Sequence, residues 1–259
     1  MGGYSCLRKF KETIAKGKEA YGQITIPNTY AGKSPGDETG DTSANIVPEI
    51  FFGYYCPNGI DIGIRVGYGG KWRVFCYGND GICIPNLGQD GPFLNSIGPG
   101  NLVYMKTWIE KVGSKYYANI NVSKTGYTDK DLMSSPFKTE VTSGFGSTTL
   151  SSGSVINREM TIAANPPSYE TSGCYMTNAK FGPCGVVTPG NVTYVWRDSN
   201  SQVFSGSTAV AGASGAKVLQ LRKDGGTYIS TRIKVVGVTD PTGGATETVS
   251  IDFRPTPII

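Results

Sequence analysis

Residues 47–78, VPEIFFGYYCPNGIDIGIRVGYGGKWRVFCYG, decide the fold. Ile60, Ile62, Ile64, Val66 and Tyr68 form one apolar file, and Asp61, Gly63, Arg65 and Gly67 alternate with them. That is the period of two of a strand with one buried face. Pro57-Asn58-Gly59 before it and Gly69-Gly70 after it carry turn chemistry, so the strand has a hairpin neighbour on each side. A second sheet is expected to cover the apolar face, and the other face stays polar.

The same alternation continues outward along the chain. It predicts strands at 23–26, 49–55, 59–68, 71–77, 102–110, 115–123, 155–164 and 174–181. In 102–110, Val103, Met105, Thr107 and Ile109 face one way and Tyr104, Lys106, Trp108 and Glu110 the other. In 115–123, Tyr116, Ala118, Ile120 and Val122 alternate with Lys115, Tyr117, Asn119 and Asn121. Residues 84–100 and 133–154 read as loops rich in Gly, Ser and Pro. With 36 glycines and only 17% charged residues in 259, the composition favours an all-β chain with many turns. Residues 5–20 are the exception. Leu7, Phe10 and Ile14 lie three and four apart with Lys and Arg around them, which predicts a basic amphipathic helix over 1–20.

Composition also excludes chemistry. There is no histidine, which removes Ser-His-Asp and Cys-His catalysis and every His-ligated metal site. The net charge is +4, and residues 1–20 carry most of it, with Arg8, Lys9, Lys11, Lys16 and Lys18 against Glu12 and Glu19. No basic patch of the kind that reads nucleic acid is left for the body. No apolar run is long enough to cross a membrane, and no signal-peptide pattern is visible.

Six cysteines are present: Cys6, Cys56, Cys76, Cys83, Cys174 and Cys184. None lies in a C-x-x-C pair. Cys76 and Cys83 flank a Gly-Asn-Asp-Gly turn, and Cys174 and Cys184 flank a loop with Gly182-Pro183. The spacing suggests three disulfides, with Cys6–Cys56 as the third, and an oxidising compartment outside the cytoplasm. Six buried thiols are the alternative. Asp37, Glu38 and Asp41 cluster in the loop 31–44, which is either a calcium-binding loop or a solvated acidic one.

Laid side by side, these strands leave an outer face of Asp61, Arg65, Arg73, Tyr104, Lys106, Trp108, Glu110, Tyr117, Asn119 and Glu159. Aromatic rings interleaved with amides and charges suit a sugar, whose C–H face stacks on a ring while its hydroxyls take directional hydrogen bonds. Cross-strand pairing on a solvated sheet would give the same pattern. Trp72 falls on the apolar file of its strand and is expected in the core.

The strands ITIP, NGIDIGIRVGY, NREMTIAAN and CYMTNAKFG make 21–185 resemble the concanavalin A-like jelly roll of secreted bacterial proteins, and more loosely the glutamic peptidases. The second resemblance implies Glu159 at the place of the peptidase Glu. The place of the peptidase Gln falls at about Gly63, with no Gln nearby. The E-x-D-x-x-E motif of laminarinase-type glycosidases is absent. After Cys184 the pattern changes. Asp224-Gly225-Gly226-Thr227-Tyr228 matches a tyrosine-corner signature, and Trp196 suits a buried strand-C position, so 186–259 resembles the Ig-like and PKD-like modules of bacterial surface proteins.

The expected architecture is therefore a jelly-roll β-sandwich, a small C-terminal Ig-like β-sandwich and a short N-terminal helix. The leading function is non-catalytic binding of a carbohydrate or cell-surface ligand by Asp61, Arg65, Tyr104, Lys106, Trp108, Tyr117 and Asn119, at an extracellular or cell-surface location. Assembly with copies of itself through the terminal segments is the alternative. A carboxylate hydrolase using Glu110 and Glu159 is the third.

Overall fold

The computed structural model describes residues 2–9, 16–30, 47–56, 58–78, 88–141, 154–164, 173–187, 193–195, 209–211, 222–224, 227–229, 233–239, 245–254 and 256. These build a two-layer all-β sandwich of the jelly-roll class, with no helix beyond one short 3-10 turn.

The first sheet contains β1 (Gly2–Lys9), β2 (Lys16–Gly17), β5 (Val47–Cys56), β6 (Asn58–Val66), β7 (Trp72–Gly78), β8 (Gly88–Phe93), β12 (Ser154–Ala164) and β15 (Ala209–Ala211). Its order is β15-β1-β12-β5-β6-β7-β8, with β2 against β12. The second sheet contains β3 (Glu19–Thr25), β4 (Asn28–Tyr30), β9 (Leu102–Val112), β10 (Lys115–Ser123), β11 (Phe137–Val141), β13 (Tyr175–Val187), β14 (Thr193–Val195), β16 (Arg222–Asp224), β17 (Thr227–Ile229), β18 (Ile233–Thr239) and β19 (Ala245–Asp252). It runs β11-β10-β9-β3-β13-β19-β18-β17-β16, with β4 and β14 on β13.

The opening stretch forms the β5-β6-β7 meander as its turn chemistry requires. Tyr68–Gly70 is the 3-10 turn, and Gly69 and Gly70 there take φ of 68° and 72°, a conformation that glycine adopts without steric cost. Ile60, Ile62, Ile64 and Val66 of β6 share one core with Val103, Met105 and Ile109 of β9 and Ala118, Ile120 and Val122 of β10. Trp72 belongs to that core, as its apolar file predicts.

An ion pair sits inside the sandwich. Arg158 alternates with Asn157 and Glu159 on β12 and turns inward, fully buried, to meet Glu247 of β19. Its guanidinium lies over the Phe181 ring at 5.0 Å and donates to the Phe181 carbonyl at 3.1 Å. The Tyr54 hydroxyl donates to the Thr107 carbonyl at 2.9 Å, so a polar bridge also joins the two sheets.

Four expectations are corrected. Residues 2–9 of the expected N-terminal helix are a strand instead: β1 pairs with β12 over eight residues, from Gly2↔Ala164 to Lys9↔Asn157, and with β15 on its other side, while residues 10–15 lie outside the described residues. Ladder bonds on both edges override a weak helical period that only Leu7 contributes to within this strand, and Gly2, Gly3, Tyr4, Ser5 and Cys6 are mediocre helix formers. Residues 186–259 do not build a second sandwich among the described strands. The boundary at 185 falls inside β13, β19 pairs with that strand, and Val249 and Ile251 enter the common core. Asp224 and Thr227 pair as the base of the β16-β17 hairpin, not as a tyrosine corner, and Trp196 lies outside the described residues.

The disulfides are the fourth correction. Cys76, Cys174 and Cys184 are buried thiols. Cys184 lies within the extended strand β13 and Cys174 just before its start, so their separation greatly exceeds the ~7 Å Cα limit of a disulfide. Cys6 is level with Met160 and, across β12, with Ile50, whereas Cys56 ends β5 two strands away, which prevents that bridge too. Cys83 and the acidic loop of Asp37, Glu38 and Asp41 lie outside the described residues.

Candidate functional site

The ten polar-face residues do not share a face. Both sheets turn their apolar files into the same core, so their outer faces point in opposite directions. Asp61, Arg65, Arg73 and Glu159 lie on the outside of the first sheet. Tyr104, Lys106, Trp108, Glu110, Tyr117 and Asn119 lie on the outside of the second. The proposed carboxylate partners Glu110 and Glu159 are therefore on opposite sides of the molecule, and stacked sheets alone are ~10 Å apart. They cannot serve one reaction.

The second-sheet face is built by β3, β9, β10 and β11. Trp108 is flanked by Glu19 and Asn119, and Tyr117 by Glu110 and Glu140. Lys106 pairs with Glu19 at 3.0 Å and lies 5.5 Å from the Trp108 ring centre. Lys138 pairs with Glu110 at 2.8 Å and lies 4.1 Å from the Tyr117 ring. Lys138 holds the Glu110 carboxyl below the usual carboxylate range, with smaller help from Trp108 and Asn119.

Part of this face is closed. The segment after β10 folds back over it, tied down by Asn121, whose amide donates to the carbonyls of Tyr127 and Asp129 at 3.0 Å each. Tyr127 then meets Tyr21 and Tyr104 edge-on, each with ring centres 5.2 Å apart. Tyr104 is thus packed beneath a third ring. Asn119 is only 2% exposed and donates to the Tyr117 carbonyl. Lys106, Trp108, Glu110 and Tyr117 remain half-buried and facing outward.

The first-sheet face is more enclosed. One row across it reads Thr161, Glu49, Arg65 and Arg73, and the next reads Glu159, Phe51, Gly63 and Phe75. Gly63 has a steric reason. A Cβ there would strike the Ile50 carbonyl and the Phe51 side chain, and over it the Phe51 and Phe75 rings meet edge-on at 5.9 Å. The position matched to the peptidase Gln thus has no room for a side chain.

Glu49 and Glu159 are each 8% exposed and Arg65 is 3%. Arg65 lies 3.8 Å from both Glu49 and Asp90, and its guanidinium is 5.1 Å from the Tyr77 ring. Asp90 also takes Arg73 at 3.2 Å and the Tyr77 hydroxyl at 3.0 Å. Burial pushes the Glu49 carboxyl up to about 7, against the opposing pull of Arg65 and with a further push from Asp90.

Sequence reasoning placed Glu49 in a strand but not in a site. The signal was available: Glu49 alternates with the core residues Ile50, Phe52 and Tyr54 and so joins Phe51 on the outside. No group of three or more acidic or cysteine side chains able to hold a metal occurs among the described residues.

No protein-family model and no curated protein matches the sequence. Among solved structures, the chain is similar to Scytalido-glutamic peptidase bound to a peptide-based transition-state analogue. The identity is 11% over 96% of this chain and 97% of that one, with a TM-score of 0.43. It is also similar to alginate lyase vAL-1 from a Chlorella virus, at 10% identity over 61% of this chain and 81% of that one, with a TM-score of 0.25. Likenesses this distant assign no residues.

Proposed function

We propose that the chain binds carbohydrate through the open part of the second-sheet face. One observation carries the reading: Trp108 and Tyr117 are diagonal neighbours on adjacent strands, both facing outward, each with a lysine–glutamate pair at its ring. Diagonal neighbours lie roughly 7–8 Å apart, near enough for one ligand to span both rings. The rings supply stacking area, and Lys106, Lys138, Glu19 and Glu110 supply directional donors and acceptors. Asp61 and Arg65 leave the site because they face the other way, and Tyr104 and Asn119 support it from beneath. An extracellular or cell-surface location goes with this proposal.

A glycan-array screen of the full chain, with Trp108→Ala and Tyr117→Ala alongside, tests it. Selective binding lost in both variants supports the platform. A blank array, or binding that survives both substitutions, overturns it. Thermal unfolding of each variant separates loss of ligand contacts from loss of fold.

A further inference from the structure

The second sheet ends at β11, and the row of side chains that carries Trp108 runs out to that edge. Glu19, Trp108, Asn119 and Lys138 stand level on β3, β9, β10 and β11. From Trp108 to Lys138 the row crosses two strand spacings, roughly 9–10 Å. Lys138 lies over the Tyr117 ring at 4.1 Å, and it also lines a cleft of about 430 Å³ at the sheet edge. The ring face and the cleft are therefore contiguous.

Pro92 of β8 forms one wall of the cleft, and Leu132, Ser134, Ser135 and Pro136 form the other. Its volume falls within the ~300–1,000 Å³ of small-ligand sites. Ser134, Ser135 and Lys138 are exposed, so a ligand can reach it. Both walls are fixed in advance. Asn121 ties down the segment leading to Leu132, and the Asp131 carboxylate accepts from the Lys124 backbone N–H at 2.9 and 3.2 Å. On the other side, the Thr139 hydroxyl donates to the Gln89 side-chain oxygen at 3.0 Å. Gly91 lacks the Cβ that would strike the Phe137 ring, so β8 and β11 approach closely. A preformed site loses little conformational freedom on binding.

Charge narrows the ligand. The lysines on the outer side of β9, β10 and β11 each meet a glutamate: Lys106 and Glu19 at 3.0 Å, Lys138 and Glu110 at 2.8 Å, Lys115 and Glu140 at 2.8 Å. The segment folded over the face carries Lys124 and Lys130 against Asp129 and Asp131. Paired charges cancel well within the ~8–10 Å over which salt screens them. Apart from Lys138, the cleft offers serine hydroxyls and apolar surface. No excess positive charge is left among these residues for an acidic polymer.

We propose that the ring face continues over the sheet edge into this cleft, and that its ligand is an uncharged linear oligosaccharide long enough to occupy both. The proposal rests on the carbohydrate reading above and adds to it a direction, a minimum length and a charge. Short chains cover Trp108 and Tyr117 alone. Longer ones pass Lys138 and meet the hydroxyls of Ser134 and Ser135.

The test is calorimetric titration of the full chain with cello-, laminari-, xylo- and manno-oligosaccharides of one to six sugars, and with oligogalacturonates as acidic comparators. Trp108→Ala, Ser134→Leu and Ser135→Leu run alongside, each checked by thermal unfolding. In at least one neutral series the hexasaccharide should bind about 10-fold more tightly than the trisaccharide, the gain of one or two hydrogen bonds. That ratio should collapse in Ser135→Leu or Ser134→Leu, where a methyl-bearing side chain fills the cleft, whereas Trp108→Ala weakens every length. Neutral binding should change less than about twofold between 50 and 500 mM NaCl. Trp108-dependent binding with no gain beyond three sugars, a gain that survives both serine substitutions, or a preference for the acidic series overturns the extension and leaves the ring platform standing. No binding in any series, or binding indifferent to Trp108→Ala, overturns the platform and the extension with it.

Discussion

Glu49→Gln should make the protein more stable at pH 8 and leave it nearly unchanged at pH 4.5. The carboxyl rises from 4.5 to about 7 on folding because burial outweighs the attraction of Arg65. Below 4.5 the folded and unfolded chains both hold the proton, and the residue costs nothing. Between 4.5 and 7 the unfolded chain releases the proton first, so stability falls as pH rises. Above 7 the full penalty applies. A shift of this size corresponds to about 3 kcal/mol. Gln keeps the shape and one amide oxygen for Arg65 but never ionises, so that slope disappears. For a chain this long the difference is on the order of 6–12 °C in Tm. Urea unfolding of both proteins across pH 4–9 provides the assay. Parallel pH dependences in the two proteins, or a Gln variant less stable at pH 8, would refute burial as the dominant influence on Glu49.

Other substitutions probe the remaining parts. Arg158→Met, which takes the guanidinium away from the buried Glu247 carboxylate, should cost about 3–5 kcal/mol in denaturant unfolding, and Arg158→Met with Glu247→Leu should recover most of it. Gly63→Ala should destabilise by about 1–3 kcal/mol or more, because the new methyl meets the Ile50 carbonyl and Phe51 in the middle of the sheet. Cys76, Cys174 and Cys184 should resist alkylation in the native chain and react once it is unfolded, with burial pushing the Cys184 thiol up to about 12. A Cys174–Cys184 bridge in a non-reducing peptide map would contradict this.

Period-two alternation marks the sandwich strands with little ambiguity. The strands predicted at 49–55, 59–68, 71–77, 102–110 and 115–123 match β5, β6, β7, β9 and β10 to within about two residues at each end. Where alternation is short or diluted by glycine and proline, it fails. β8 hides in the sequence GQDGPF inside an expected loop, and Gly91 is there because Phe137 of β11 packs against it. β1 was missed for a different reason. Three apolar residues at helical spacing are weak evidence, and the partners that make this segment a strand, β12 and β15, lie more than a hundred residues downstream. The cysteines misled because turn residues between two Cys indicate a hairpin only if the chain reverses there. At Gly182-Pro183 it bulges and continues along β13.

The division of the polar face has the same root. Alternation says which side chains point outward, but it does not say which sheet a strand joins. Here the decision is made at 94–101. Ile26 donates to the Asn101 carbonyl at 2.9 Å and accepts from Gly100 at 2.8 Å, which ties the segment leaving β8 to the end of β3. Gly100 takes a φ of 84° at that crossing, so the chain turns out of the first sheet and enters β9 beside β3. β6 and β9 therefore present their polar residues on opposite sides of one core, although their patterns are alike in the sequence. Asp61 and Arg65 on one side and Trp108 and Tyr117 on the other belong to two surfaces with different physical character. One is buried and charged, with a carboxyl moved towards neutrality; the other is open and aromatic, with its charges already paired. A substitution on one face therefore leaves the chemistry of the other untouched, which is why the Glu49→Gln unfolding experiment and the glycan array are independent tests.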